Sequence, residues 1–277
     1  MRRLVAVGVY FVLTSLSFSQ PATPVEQWRG KTILLIGAHP DDDTMSHGTL
    51  AMLQAHGNQV YVALITTGNV GTQDPDMSRF RLAEIRRQEE LAALKEIGIP
   101  EDHYINLGYD DGLLEFADSL GVVERLVRII RTYKPDVLFA FDSGPVYRRW
   151  HKTDHRAAAY LAADATRAAM WRLLFESQII NDGLQAHRIP EFMFYDTPKD
   201  AINTWVDITP YVDQKVNAAL KYVSQFAPGW SKYTGPDLSP EQRKEREEQI
   251  RSRLVVRDGK IYEGFRYYEG QPDGMGK

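Results

Sequence analysis

The chain of 277 residues contains no cysteine. That removes disulfide frameworks, thiolate metal sites, iron–sulfur clusters and cysteine nucleophiles together, so any metal must be held by histidine and carboxylate. It also lacks an excess of positive charge. Lys and Arg total 33 against 37 Asp and Glu, a formal net charge of −4, which offers no basic footprint for nucleic acid. No apolar run reaches the ~20 residues of a spanning helix, and no internal repeat or low-complexity linker divides the chain. What is present is ordinary for a soluble globular protein: 43% hydrophobic and 25% charged residues, enough to build a core and too apolar for disorder.

The first segment reads as a targeting signal and not as fold. Arg2 and Arg3 precede an uncharged, mostly apolar run over residues 4–18, and Ser17 and Ser19 supply small residues at alternate positions before Gln20. That is the layout of a secretory signal peptide; an uncleaved anchor helix is the alternative. The expected organisation is a signal peptide at 1–19, a leader at 20–30 and a single domain over 31–277, with its core at 31–226 and a C-terminal extension at 227–277. The expected location is secreted or periplasmic, with no membrane span once the signal is cleaved.

Residues 31–37 (KTILLIG), 59–67 (QVYVALITT) and 136–141 (DVLFAF) are apolar, β-branched runs of the kind found in buried parallel strands. Shorter strands are expected at 104–107 and 191–197. Between them, helical spacing covers 47–57, 79–97, 119–133 and 154–176, and a further helix is expected over 209–226. This alternation predicts an α/β fold: a Rossmann-like, doubly wound, mostly parallel sheet with helices on both faces. The charge run at 242–253 (QRKEREEQIRSR) reads as a solvated helix face, and 259–276 as a strand and loop that wraps the site.

Chemistry concentrates at two strand ends. The first core strand runs into Ala38-His39-Pro40-Asp41-Asp42-Asp43. One histidine and three acids at the carboxyl edge of a buried strand are costly unless a metal or a dense hydrogen-bond network satisfies them. After the 136–141 strand, His151-Lys152-Thr153-Asp154-His155 opens a helix. Strand-end loops converge at the switch point of such a sheet. Two histidines and a carboxylate brought together there make the ligand set of a catalytic zinc that keeps an open position.

These segments resemble the PIG-L/LmbE-like zinc-dependent de-N-acetylases. The resemblance covers about residues 31–225 and rests on AHPDD (38–42), RLAEIRRQEELAALKEIGI (81–99), NLGYDDGLL (106–114), the Asp154-His155 helix start and VSQ (223–225). It implies one zinc ion per chain, other divalent transition metals being possible, held by His39, Asp42 and His155. Asp41 is implied as the general base that activates a zinc-bound water, and Asp154 as an orienter of a neighbouring side chain. By position, Ser46, Arg86 and Asp110 or Asp111 match residues near the sugar. The implied activity removes acetyl from the amide nitrogen of an N-acetylglucosamine-type sugar or its conjugate, and that amino sugar is the partner expected.

The sequence departs from the family pattern twice. Asp43 stands where glutamate is usual. The family's His-x-Asp-His becomes Lys152-Thr153-Asp154-His155, with His151 one position earlier. A bulge that lets His151 supply the oxyanion contact, Lys152 supplying it as a cation, and His151 joining His155 on the metal are all open. The departures also admit a metal amidase acting on another acyl group or a thiol conjugate, and a glycan-binding protein with a degenerate site.

Overall fold

A computed structural model describes residues 20–144 and 153–270; the expected signal peptide, Trp150, His151 and Lys152 lie outside them. In chain order the elements are β1 (Thr32–Gly37), α1 (His47–Ala55), β2 (Gln59–Thr66), α2 (Arg79–Glu96), β3 (Tyr104–Tyr109), α3 (Ser119–Tyr133), β4 (Val137–Phe141), α4 (Thr153–Ala169), α5 (Ser177–Ile180) and β5 (Glu191–Tyr195). There follow β6 (Thr204–Asp207), α6 (Val212–Ala219), α7 (Pro240–Ser252), β7 (Val255–Arg257) and β8 (Lys260–Glu269).

The sheet order is β3-β2-β1-β4-β5-β8-β6, with β7 paired to β8. Strands β1 to β5 are parallel, and β8 runs antiparallel to β5, β6 and β7. The apolar runs account for this: Ile33–Ile36, all five residues of β4 and Phe192–Tyr195 are buried, as strands covered on both faces must be. Helices α3 and α4 pack together, while α1 and α2 pack on α6. From β1 the chain winds outward through β2 to β3, then returns to place β4 on the other side of β1. The switch point therefore falls between β1 and β4, where a doubly wound sheet binds its ligand. No described helix is long and apolar enough to cross a membrane.

Three departures from the expected elements have physical causes. Helix α4 stops at Ala169 and not near residue 176, because the buried Arg131 guanidinium takes the carbonyls of Ala169, Trp171, Leu174 and Phe175. The helix expected over 209–226 shrinks to α6 because the stretch after it is committed elsewhere. There the Ser224 amide and hydroxyl donate to Glu89, and Gln225 donates to the Pro40 carbonyl. The C-terminal strand, expected with a loop that wraps the site, is built into the sheet between β5 and β6. Glu263 of β8 accepts from the amides of Gly48 and Thr49, a carboxylate placed on the first turn of α1, where the helix dipole favours it. Part of the leader is also fixed, for Val25 and Trp28 are buried in the core.

Candidate metal and active site

The site is built on the loop that leaves β1. Asp42 turns back on the strand end, and its Oδ2 accepts from the amides of Ala38 and His39, both at 2.7 Å. Its Oδ1 lies 3.0 Å from Nε2 of His155. His155 arrives from the first turn of α4, its ring stacked on Phe141 at the end of β4, with centroids 4.3 Å apart. His39 presents Nδ1 towards Asp42 at 3.6 Å. Ligand atoms of His39, Asp42 and His155, all three buried, lie within 4.8 Å of one another.

The other nitrogen of His39 is held from behind. Nε2 is 3.0 Å from Asp111 and 3.3 Å from Asp154. Asp154 is itself fixed by the amides of Gly112 and Leu114, at 2.7 and 3.1 Å. A carboxylate on the far nitrogen sets the ring's orientation and raises its basicity as a ligand. Burial alone would lower the His39 pKa, but Asp42, Asp111 and Asp154 outweigh it and raise the value well above normal. Burial likewise pushes Asp42 up, and the two histidines overcome that and hold it well below the usual carboxylate range. Asp111 behaves in the same way: burial opposes ionisation, yet His39 and then Arg86 bring it down to about 2. So much negative charge around His39 favours a cation. Its Nδ1 is buried with no hydrogen-bond partner among the described residues, and it faces the Asp42–His155 side. Two imidazoles and a carboxylate converging with a nitrogen to spare fit a divalent transition metal.

A cleft of about 360 Å³ opens beside these residues, lined by His39, Asp41, Arg86, Asp111, Asp154 and Trp230 among others. Asp41 enters it from a left-handed backbone, φ 120°, a conformation costing a non-glycine residue of order 1–3 kcal/mol and typical of functional sites. The turn that follows holds it, with the Thr44 amide and hydroxyl donating to the Asp41 carbonyl at 3.0 and 2.5 Å. Arg86, on α2, is buried and donates to the Gly71 carbonyl at 2.6 Å. Gly68, at φ 66°, makes room for it: a Cβ there would lie 2.7 Å from the guanidinium.

Of the residues singled out from sequence, His39, Asp41, Asp42, Arg86, Asp111, Asp154 and His155 are brought together. Ser46 and Asp110 are not. Ser46 is completely buried at the end of the turn before α1 and does not line the cleft. The Asp110 carboxylate points away to Arg79 at 3.0 Å and Asn69 at 2.7 Å. Asp43 is buried beneath the site, 2.7 Å from His47. The Tyr222 hydroxyl lies 3.2 Å from Asp43 and 3.0 Å from Glu90. Burial and the Asp43 charge raise Glu90 well above its usual value, so the protonated form is the favoured one there. Sequence reasoning missed Glu89, Glu90, Tyr222 and Trp230. The signal for the glutamates was readable: they stand three and four positions after Arg86 on one helix, hence on one face.

A buried His-Asp-His cluster that could hold a divalent metal, set at the switch point of a Rossmann-like sheet, defines the class: an α/β protein with a candidate metal centre beside the ends of β1 and β4. Comparison with known proteins gives the family. The family model described as PIG-L, GlcNAc-PI de-N-acetylase, matches residues 34–166. A diacetylchitobiose deacetylase from Thermococcus kodakarensis is 32% identical over 197 residues, which are 71% of this chain and 70% of that one. A 1D-myo-inositol 2-acetamido-2-deoxy-alpha-D-glucopyranoside deacetylase from Catenulispora acidiphila is 25% identical over 260 residues, covering 76% of this chain and 80% of the relative. Among solved structures, the N,N'-diacetylchitobiose deacetylase of Pyrococcus horikoshii in complex with an inhibitor superposes with a TM-score of 0.70 at 29% identity, covering 88% of this chain and 86% of that one. The chain belongs to the PIG-L family of de-N-acetylases and is an enzyme, a hydrolase of amide bonds.

Proposed function

We propose that this chain removes the acetyl group from the amide nitrogen of an N-acetylglucosamine-type sugar or its conjugate, using one zinc ion held by His39, Asp42 and His155. The observation that carries the reading is the convergence of those three side chains beside a cleft that also receives Asp41, Arg86, Asp111 and Trp230. The curated relatives named as deacetylases of acetylated glucosamine compounds support the substrate class. When bound, a divalent metal such as zinc supplies Lewis acidity, polarising the amide carbonyl and making water a stronger acid.

The chain's own groups do the rest. Asp41 is the general base: it accepts the proton of the attacking water and returns it to the departing amine. Asp154 and Asp111 keep the His39 ring oriented through Nε2. Arg86 and Asp111 offer a forked donor and an acceptor to sugar hydroxyls, and Trp230 offers an aromatic face. His151 or Lys152 supplies the donor to the oxyanion. Arg2, Arg3 and the apolar run after them support export of the protein, tested by sequencing the amino terminus of the chain recovered outside the cytoplasm.

The reaction is tested by acetate release from N-acetylglucosamine and its disaccharide, alongside the metal content of the purified protein. Wild type should release acetate and retain about one metal per chain. His155→Ala should lose both, and Asp41→Asn should keep the metal and lose the activity. Unchanged rates in both variants would overturn the assignment.

A further inference from the structure

A second cavity, of about 340 Å³, shares a wall residue with the catalytic cleft. Phe226 lines both spaces. The second is walled by Thr44 and Met45, three and four residues after Asp41, and by Ile250, Leu254 and Val255 of the C-terminal extension. Its lining is mostly apolar, yet four charged side chains reach it: Lys215, Glu263, Arg246 and Arg253.

Two of those charges are spent on each other, for Lys215 Nζ lies 2.7 Å from Glu263, whose carboxylate also takes the first amides of α1. The two arginines are different. Arg246 lies flat on the Phe226 ring, 3.5 Å from its centroid, and its only described side-chain hydrogen bond is to Gln249 at 3.3 Å. Neither Arg246 nor Arg253 has an ion-pair partner among the described residues. Burial, and after it the neighbouring Arg253, bring Arg246 down to about 10, while Asp41 acts in the opposite direction. Arg246, half-buried against the apolar wall, and Arg253, exposed at its rim, are two like charges with no ion pair among the described residues, and together they form a place for an anion attached to something apolar.

We infer that this cavity is a distal substrate subsite, taking an apolar arm that ends in an anionic group and extends from the sugar past Phe226 to Arg246 and Arg253. The inference rests on the amino-sugar reading of the catalytic cleft. It also revises the charge run at 242–253: most of α7 is solvated, but Arg246 and Ile250 face inward.

The test uses glucosamine glycosides, which are already deacetylated and cannot turn over, bearing an alkyl arm ended by a carboxylate, a phosphate or a hydroxymethyl group. Calorimetry should show the anionic arms binding about tenfold more tightly than the neutral one, the effect of one charge-assisted contact. Carboxylate and phosphate separate the two sources of the anion. Arg246→Gln should abolish the preference, Arg253→Gln should reduce it, and added salt should weaken it. Equal binding of all three arms by the wild type, or a variant that weakens them in parallel, overturns the subsite. Failure of acetate release would instead overturn the reaction, since binding of these glycosides does not depend on turnover.

Discussion

Two clusters of buried polar groups, one at each end of α4, show how differently a fold can use the same expense. At the end of α4, the completely buried Arg131 has no acidic partner among the described residues. Its three nitrogens reach the carbonyls of Ala169, Trp171, Leu174 and Phe175 and the amide oxygen of Gln178. Every donor is answered, and the result is a fixed turn. At the start of α4, His39, Asp42, Asp154 and His155 are as deeply buried, but the His39 Nδ1 has no hydrogen-bond partner among the described residues. Complete satisfaction marks a structural site, and unspent ligand atoms converging on one point mark a functional one.

The largest effect should come from the functional cluster and should leave the fold intact. Asp41→Asn removes the proton acceptor and is expected to lower kcat by about 10²- to 10⁴-fold. Its melting temperature should stay close to that of wild type or exceed it, because active-site carboxylates commonly cost stability. A rate loss matched by a large drop in melting temperature would erase the contrast.

The converse experiment is Arg131→Met. The aliphatic stem is replaced, but four carbonyls each lose a charged donor, with a backbone amide left to those of Ala169, Trp171 and Phe175, and removing one member of a buried charged network costs about 3–5 kcal/mol. Urea titration should show that loss as a lowered midpoint, while kcat/KM of the remaining folded enzyme at low temperature should change little. Equal damage to activity and stability would mean that the end of α4 communicates with its start.

The contrast was unevenly legible in the sequence. Strand runs such as DVLFAF and the AHPDD segment could be read because each signal is local, a periodicity or a cluster of neighbours in the chain. Arg131 could not. It sits in an amphipathic helix among other arginines, and only the return of residues 168–175 onto it, roughly forty positions later, makes it a cap. Tyr222 and Trp230 were hidden for the same reason: each meets the site through a contact of long sequence separation. Position alone left Asp110 and Asp111 open as alternatives; in the loop after β3 Asp111 lines the cleft, while the Asp110 carboxylate meets Arg79 and Asn69. Ser46 was named from its match to a family position, and a match of that kind carries no information on burial: the turn before α1 encloses it completely.

A smaller effect, with a sign that can be worked out, comes from Glu89. Burial, partly opposed by the Ser224 hydrogen bonds, raises its pKa from 4.5 to about 7. The folded state then holds a proton that the unfolded state has already lost, so stability falls as pH rises from about 4.5 through about 7 and does not recover above it. A difference of that size is worth up to about 3 kcal/mol. Glu89→Gln cannot ionise, and its denaturation midpoint should fall less than that of wild type over this range. A wild-type stability that climbs across the same window would place the Glu89 pKa below its ordinary value.

The smallest expected effect sharpens the comparison most, because it involves the same residue type. Arg251, on the outer face of α7, makes two ion pairs, 2.7 Å to Asp213 and 2.9 Å to Glu247; Arg131 makes none among the described residues. Counting salt bridges would rank Arg251 as the more important. Both its partners are substantially exposed, however, at 83% and 37% of the side chain, and exposed pairs contribute about 0–1 kcal/mol because water and salt screen them and the long side chains lose freedom. Arg251→Gln should therefore shift the urea midpoint barely beyond error, and less still at high salt, whereas Arg131→Met shifts it severalfold more. The ordering follows from desolvation. A guanidinium in water gives up good hydrogen bonds to make new ones, but the buried Arg131 guanidinium has all of its donors answered inside the protein, out of reach of screening water. Finding Arg251→Gln as damaging as Arg131→Met would show that the charged face of α7 is not solvent-screened.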